Sequence, residues 1–122
     1  MDRDILEVGS HTRNHPNCVN LVSRDEFESE LKGSQQDIEK QIGYPVKNFC
    51  YPAGSYDDRV INFVKEHYSS ACTIVPGFND LNTPLFELRR ISTDENTGLF
   101  KSMVSGSYFF VSRLLRRIKG KA

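Results

Sequence analysis

The sequence has no long apolar segment and few cysteines, and each shortage argues against a class of protein. No apolar run in the 122 residues approaches the ~20 residues that a membrane-spanning helix needs. The N-terminus shows no basic region followed by a long apolar stretch and a cleavage site, so the sequence predicts a cytoplasmic protein. Three cysteines without paired spacing are not typical of a small secreted disulfide-rich domain. The length favours one compact domain.

Charge is balanced over the whole chain but unevenly placed. Sixteen basic and sixteen acidic residues give a formal net charge of +0. Five of the basic residues fall within the last ten positions, so the rest of the chain is acidic. An acidic body offers no general surface for nucleic acid, and we expect no nucleic-acid partner. The basic residues of the tail are Arg113, Arg116, Arg117, Lys119 and Lys121.

The C-terminal tail also has the pattern of an amphipathic helix. Its apolar residues fall on one helical face opposite the basic ones. Such a helix can dock on the core with its charges in solvent, which is the more common arrangement, or lie on an anionic membrane surface. We therefore divide the chain into a domain at residues 1–106 and a basic amphipathic helix at residues 107–122. The apolar face consists of Val111, Leu114, Leu115 and Ile118.

The order of predicted elements indicates an α/β fold. Ser23 and Glu26 have the spacing of a capping box, and the apolar residues that follow recur with helical spacing up to Gly43. Short apolar runs bounded by glycine or proline predict strands on either side of this helix. Alternation of strands and helices favours parallel pairing. The predicted strands are Ile5–Gly9, Val46–Tyr51, 69–75 and 85–92, the predicted helices are 24–42, one capped by Asp57 or Asp58, and about 98–119, and 76–86 is a predicted loop.

Two of the three histidines, His11 and His15, lie four residues apart just after the first predicted strand. A turn with this spacing can direct both imidazoles at one divalent ion, as zinc, cobalt or nickel requires. Capping and loop hydrogen bonding are the structural alternative for the same pair.

Other potential ligands have structural interpretations as well. Cys18 extends the histidine pair to an H-x-x-x-H-x-x-C spacing, although a buried thiol is the favoured interpretation. Asp94 follows a predicted strand and could approach a metal or cap a helix. His67 is interpreted as a residue at a helix C-terminus. Cys50 and Cys72 fall in predicted strands and are interpreted as core residues.

Two segments resemble motifs of the polysaccharide deacetylase family, the NodB homology domain of carbohydrate esterase family four. The segment "EVGSHTRNHP" (7–16) is similar to its H-[ST]-x-x-H-P motif. The segment "FCYPAGSYDD" (49–58) is similar to the F-x-Y-P-x-G-x-Y form found in the exopolysaccharide and surface-glycan branch. The resemblance extends over about residues 5–92 and implies a partial (β/α) barrel.

The resemblance implies metal-dependent hydrolysis of N-acetyl groups on a sugar polymer. His11 and His15 would be ligands of a divalent metal, zinc in the first place with cobalt or nickel as alternatives, and Thr12 would steady their loop. Arg90 would orient a catalytic carboxylate. One wall of the glycan groove would be formed by Tyr51, Pro52, Ala53 and Gly54, with the backbone N–H of Ala53 facing the developing oxyanion.

The sequence departs from the family at the catalytic base. No T-F-D-D motif, which carries the base and the carboxylate ligand in the family, occurs in these residues, and no histidine follows His67. We therefore expect a C-terminal portion of a deacetylase domain that lacks its first strand and is inactive alone. The open sheet edge would favour a homodimer. The alternatives are a non-catalytic glycan-binding or assembly module and a small structural protein stabilised by zinc on His11, His15 and Cys18.

Overall fold

The computed structural model describes residues 6–92 and 95–120. A parallel sheet of three short strands lies at its centre, in the order β1-β2-β3. The predicted α/β class with parallel pairing is confirmed. The strands are β1 (Asn48–Cys50), β2 (Ser70–Pro76) and β3 (Leu88–Arg90), and the helices are α1 (Arg24–Phe27), α2 (Gly33–Ile42), α3 (Asp58–His67), α4 (Thr97–Ser105) and α5 (Ser107–Lys119).

The predicted helix 24–42 is present, with an unpredicted interruption. Ser23 and Glu26 form the expected capping box at its start. Between α1 and α2 the backbone is π-helical over Glu28–Lys32. Such short π segments are uncommon and often lie at functional sites. The helix ends at Gly43, whose φ of 77° closes it in the left-handed conformation that glycine adopts without strain.

The first predicted strand, Ile5–Gly9, is wrong over its described part. Pairing begins only at Ser10, which forms an isolated parallel bridge with Phe49. The N–H of Ser10 donates to the carbonyl of Asn48 at 2.8 Å, and the N–H of Cys50 donates to the carbonyl of Ser10 at 2.9 Å. Leu6, before this bridge, is 56% exposed. Val8 is half-buried, and among the described residues Ser10 alone extends the sheet beyond β1.

The hydrophobic core fills the space between one face of the sheet and helices α1, α2 and α3. Phe49 and Ala71, partners across β1 and β2, point into it. Asp57 caps α3 by accepting from the N–H of Val60, as the sequence predicted. The buried members of this core are Cys18, Leu21, Phe27, Leu31, Val46, Phe49, Tyr51, Val60, Phe63, Val64, Tyr68 and Ala71.

Helices α4 and α5 form the C-terminal part of the described chain. Gly106, with a φ of 86°, separates α4 from α5 at the boundary predicted between 1–106 and 107–122. The division into two domains stays a prediction. The described apolar side chains of α5 are exposed, with Phe110 at 71% and Leu115 at 53%. These exposed side chains do not pack on the core, as the docking of the helix would require. The structure does not describe the side chains of Val111 and Ile118. Within the described ranges, no helix is long and apolar enough to cross a membrane.

Candidate metal site and its supporting loop

The histidine loop leaves the sheet immediately after Ser10 and turns sharply. Thr12 and His15 both have left-handed backbones, with φ values of 68° and 54°. Residues other than glycine rarely adopt this backbone conformation, and those that do are concentrated at functional sites. The N–H of His15 donates to Oγ1 of Thr12 at 3.1 Å, which closes the turn. Thr12 therefore steadies the loop in the way that the sequence motif implies.

The two imidazoles lie side by side on the surface. Their ring centroids are 4.8 Å apart and the ring planes are inclined by 70°. Nδ1 of His11 lies 2.7 Å from the carbonyl oxygen of Cys50. Since a carbonyl oxygen only accepts, Nδ1 is the donor, and in the neutral imidazole the lone pair is then on Nε2. A histidine that donates one ring N–H to a carbonyl and keeps the other nitrogen free has the arrangement typical of a metal ligand.

Glu30, in the π-helical segment, holds the centre of the loop. Its Oε2 accepts from the backbone N–H groups of Arg13 and Asn14 at 3.1 and 2.9 Å, and its Oε1 accepts from Nδ2 of Asn14 at 2.6 Å. Burial raises the pKa of this carboxyl group, but the hydrogen bonds from Asn14 and Arg13 outweigh burial, and the pKa lies below its ordinary value. The carboxylate therefore stays ionised at neutral pH and fixes the backbone between the two histidines.

Arg13 ties the same loop to helix α2. Its Nε and Nη2 donate to the two carboxylate oxygens of Asp37 at 2.7 and 3.0 Å, a bidentate pair. The hydrogen bond from Arg13 is the main cause that lowers the pKa of Asp37. Gly33 leaves room for the guanidinium, because a Cβ at this position would lie 2.6 Å from Cζ of Arg13. Glu30 and Arg13 together hold the histidine loop against the helix from two sides.

The described residues do not supply a third ligand. They contain no group of three or more His, Cys, Asp or Glu side chains placed to hold one metal ion. Cys18 is fully buried in the core, and burial raises the pKa of its thiol to about 11. The suggestion that Cys18 completes a zinc site with His11 and His15 is therefore wrong, because the core holds its sulfur away from solvent. Asp94, the other candidate, lies outside the described residues.

The third-motif loop divides between the core and the surface. Tyr51 and Pro52 are fully buried, whereas Ala53 is exposed and Gly54 half-buried. Hydroxyl Oη of Tyr51 donates to the carbonyl of Phe86 at 2.9 Å. Ala53 and Gly54 have φ values of 52° and 65°. A Cβ on Gly54 would collide with the side chain of Ile74. The part of this loop that a ligand can reach from solvent is thus Ala53 and Gly54, and the proposed groove contacts stay predictions.

Arg90 shares a shallow cleft with His11, on the sheet face opposite the core. Its Nε donates to the carbonyl of Thr73 at 2.9 Å, which fixes the side chain on β3. The cleft holds about 230 Å³. Its lining includes His11, Cys50, Cys72 and Arg90. The structure therefore brings together two predicted site residues that are far apart in the sequence, at the edge where parallel strands commonly present functional groups.

His67 lies away from this site. It is the last residue of α3, as predicted, and its ring packs on Phe63 with centroids 4.6 Å apart. Burial lowers its pKa, and among the described residues its Nε2 has no hydrogen-bond partner. The structural interpretation of this histidine therefore agrees with its place in the fold.

Comparison with known proteins assigns the family. The polysaccharide deacetylase family model matches residues 1–70. A polysaccharide deacetylase structure from Bacillus cereus aligns at 33% identity and a TM-score of 0.73, covering 83% of this chain and 33% of that one. A Streptococcus pyogenes deacetylase, solved with acetate, aligns at 27% identity and a TM-score of 0.68, covering 78% of this chain and 43% of that one. No match was found among curated proteins.

The chain belongs to the polysaccharide deacetylase family. The sequence match and the fold agree, since the family model and a solved polysaccharide deacetylase structure both match this chain. The predicted partial barrel is thereby confirmed. The chain spans less than half the length of these structural relatives.

Proposed function

We propose that this chain supplies the two-histidine part of a deacetylase metal centre, in a protein that hydrolyses N-acetyl groups on a sugar polymer. The hydrogen bond from Nδ1 of His11 to the Cys50 carbonyl is the observation that carries this proposal. It fixes the ring and leaves Nε2 for a metal, and the His15 ring lies beside it. A loop that served only as a turn would need neither the fixed ring nor the second imidazole.

The donor set fits a borderline divalent ion. Neutral imidazoles suit zinc, cobalt and nickel, of which zinc is our first expectation. A bound metal of this kind polarises the amide carbonyl and makes its bound water more acidic. Within this chain, His11 and His15 would bind the ion, while Glu30 and Thr12 hold the loop that carries them. The third ligand and the base would be carboxylates, which the described residues do not place beside the two histidines.

The substrate would approach across the cleft beside the histidines. Ala53 and Gly54 expose backbone on the third-motif loop, and we propose that the N–H of Ala53 faces the oxyanion of the acetyl group. Arg90 would orient the missing carboxylate, because its guanidinium is already fixed by Thr73. The F-x-Y-P form of the loop supports a substrate from exopolysaccharide or surface-glycan pathways.

Metal binding and acetate release, measured together, test this proposal. Zinc is titrated into the purified chain by calorimetry, and acetate release is assayed on an N-acetylglucosamine oligomer. We expect one zinc per chain and no acetate, because the described residues place no carboxylate with the histidines to act as the general base, and general base catalysis is worth about 10² to 10⁴ in rate. Acetate release would show that another residue replaces the base. Absence of zinc binding would overturn the metal site, and oligomer binding without zinc would favour the glycan-binding module.

Glu30 gives a test of the supporting loop. Glu30→Ala removes three hydrogen bonds to the residues between the histidines, so we expect zinc affinity to fall about tenfold, the lower end of the range for groups that orient metal ligands. Calorimetry measures the change. Glu28→Ala is the matched control, because Glu28 lies in the same π segment and pairs with Arg24 instead. If Glu30→Ala and Glu28→Ala bound zinc with equal affinity, this role of Glu30 would be contradicted.

We also propose that α5 contacts an anionic membrane surface. Its described apolar side chains are exposed, and its last turn carries Arg116, Arg117 and Lys119. One basic residue near such a surface contributes about 1 kcal/mol, so Arg116→Gln should weaken binding to phosphatidylglycerol vesicles about fivefold. Vesicle sedimentation measures this, with Lys101→Gln on α4 as the control. Equal binding to neutral phosphatidylcholine vesicles would contradict the proposal.

A homodimer is the remaining proposed partner arrangement. Ser10 extends the sheet by a single bridge, and residues 6–9 add no strand beyond it. A second copy could pair along this side of the sheet. Sedimentation equilibrium over a range of concentrations would reveal the dimer, and a monomer throughout would contradict it.

A further inference from the structure

Two of the three cysteines face each other across neighbouring strands. Cys50 on β1 and Cys72 on β2 are register partners in the parallel ladder. Neighbouring strands lie about 4.8 Å apart, and register partners project their side chains from the same face of the sheet. The face is the one opposite the core, since Phe49 and Ala71, the preceding pair, point into the core. The interpretation of these two thiols as core residues is therefore wrong.

The pair is open to solvent and unbonded. Both cysteines are free and half-buried, and both line the cleft of about 230 Å³ that also contains His11 and Arg90. Cys18, by contrast, is fully buried on the other side of the sheet. The chain thus has one accessible pair of neighbouring thiols and one inaccessible single thiol.

A positively charged side chain, Arg90, lines the same cleft as the two thiols. Burial raises the pKa of Cys50, but the positive charge of Arg90 opposes this effect. The same charge would partly neutralise two thiolates bound to one ion. The described residues place no third His, Cys, Asp or Glu with the pair, so the site offers two soft sulfur donors and suits an ion that accepts only two.

We propose that Cys50 and Cys72 form a two-thiol site for one soft, thiophilic ion, with monovalent copper and trivalent arsenic as the chemical class. Thiolate ligands select such ions over hard cations. With a monosubstituted arsenical, two As–S bonds form, the As=O bond breaks, and the two thiol protons leave with the oxygen as one water. Arsenic stays trivalent, and no oxidant is needed. The two-thiol site adjoins His11, which lines the same cleft, and it does not depend on the proposed deacetylase function.

Phenylarsine oxide is the first probe. The reduced chain is treated with one equivalent, challenged with excess monothiol, and examined by intact mass spectrometry. We expect one adduct that survives the challenge in the unmodified chain and in Cys18→Ser, because two sulfurs on one arsenic form a ring. Cys50→Ser and Cys72→Ser should each lose it. Thermal melting shows that each variant is folded.

Two results would overturn the proposal. One is an adduct that survives the monothiol in either Cys50→Ser or Cys72→Ser, and the other is its loss in a folded Cys18→Ser chain. In the second arm of the test, the chain competes with a chromogenic chelator for monovalent copper. This competition shows whether the site binds copper as well as arsenic. One copper per chain, lost in both strand variants, supports a general soft-ion site. Copper bound equally by all variants would overturn the copper part.

Discussion

Replacing His11 with alanine is expected to lower the zinc affinity of the chain by about 100-fold or more. Groups that only orient a metal ligand already contribute about 10- to 100-fold, and His11 would be a ligand itself. The substitution converts a two-imidazole site into a single imidazole. It also removes the hydrogen bond that joins the loop to the Cys50 carbonyl. Calorimetric titration with zinc, or with cobalt followed by its visible absorption, measures the loss.

The matched control is the histidine outside the site. His67→Gln keeps a polar side chain at the end of α3, where the histidine ring packs on Phe63, and should leave zinc affinity unchanged. His15→Ala should behave like His11→Ala, because the two rings lie side by side. An unchanged affinity in His11→Ala, or an equal loss in His67→Gln, would show that zinc binds elsewhere. Thermal melting of each variant separates loss of a ligand from loss of the fold.

The sequence predicted the turn that brings His11 and His15 together because its signals are local. His11, Thr12 and His15 lie within five positions, and their motif carries both the ring spacing and the turn. Glu30 was missed because its contacts span 16 to 17 residues and a glutamate on a helix has no distinguishing local pattern. The π segment that carries it was also missed, since the apolar spacing of the helix continues through it. A long-range contact of this kind becomes visible only when the helix is placed against the loop.

Burial caused the other differences. The run Ile5–Gly9 has the composition of a strand, but strand formation depends on neighbours, and the described part has only the bridge at Ser10. Cys50 and Cys72 fall in predicted strands, yet alternation places them on the face away from the core. Period-2 alternation fixes which residues share a face, whereas the packing of helices decides which face becomes buried. The strands and helices themselves were predicted because proline, glycine and capping residues mark their ends.

Replacing Tyr51 with alanine is expected to destabilise the fold by about 3 to 5 kcal/mol, the usual range for a buried aromatic residue. The ring is fully buried, stacks on Tyr56 with centroids 4.7 Å apart, and meets Phe49 edge-on at 5.5 Å. Small domains unfold with only about 5 to 15 kcal/mol. The melting temperature should therefore fall by well over 10 °C, at about 4 to 8 °C per kcal/mol. Differential scanning calorimetry or circular dichroism measures the shift.

Tyr51→Phe separates packing from hydrogen bonding at the same position. It keeps the ring and removes only the hydroxyl that donates to the Phe86 carbonyl, so we expect a loss of about 1 kcal/mol. The pair of variants also decides between two roles for the motif tyrosine. If Tyr51 serves the core, both variants lower the melting temperature, and Tyr51→Ala lowers it much further because it removes the whole ring. If Tyr51 served as the wall of a glycan groove, Tyr51→Ala would weaken binding of an N-acetylglucosamine oligomer while leaving the melting temperature nearly unchanged, and its complete burial argues against that result.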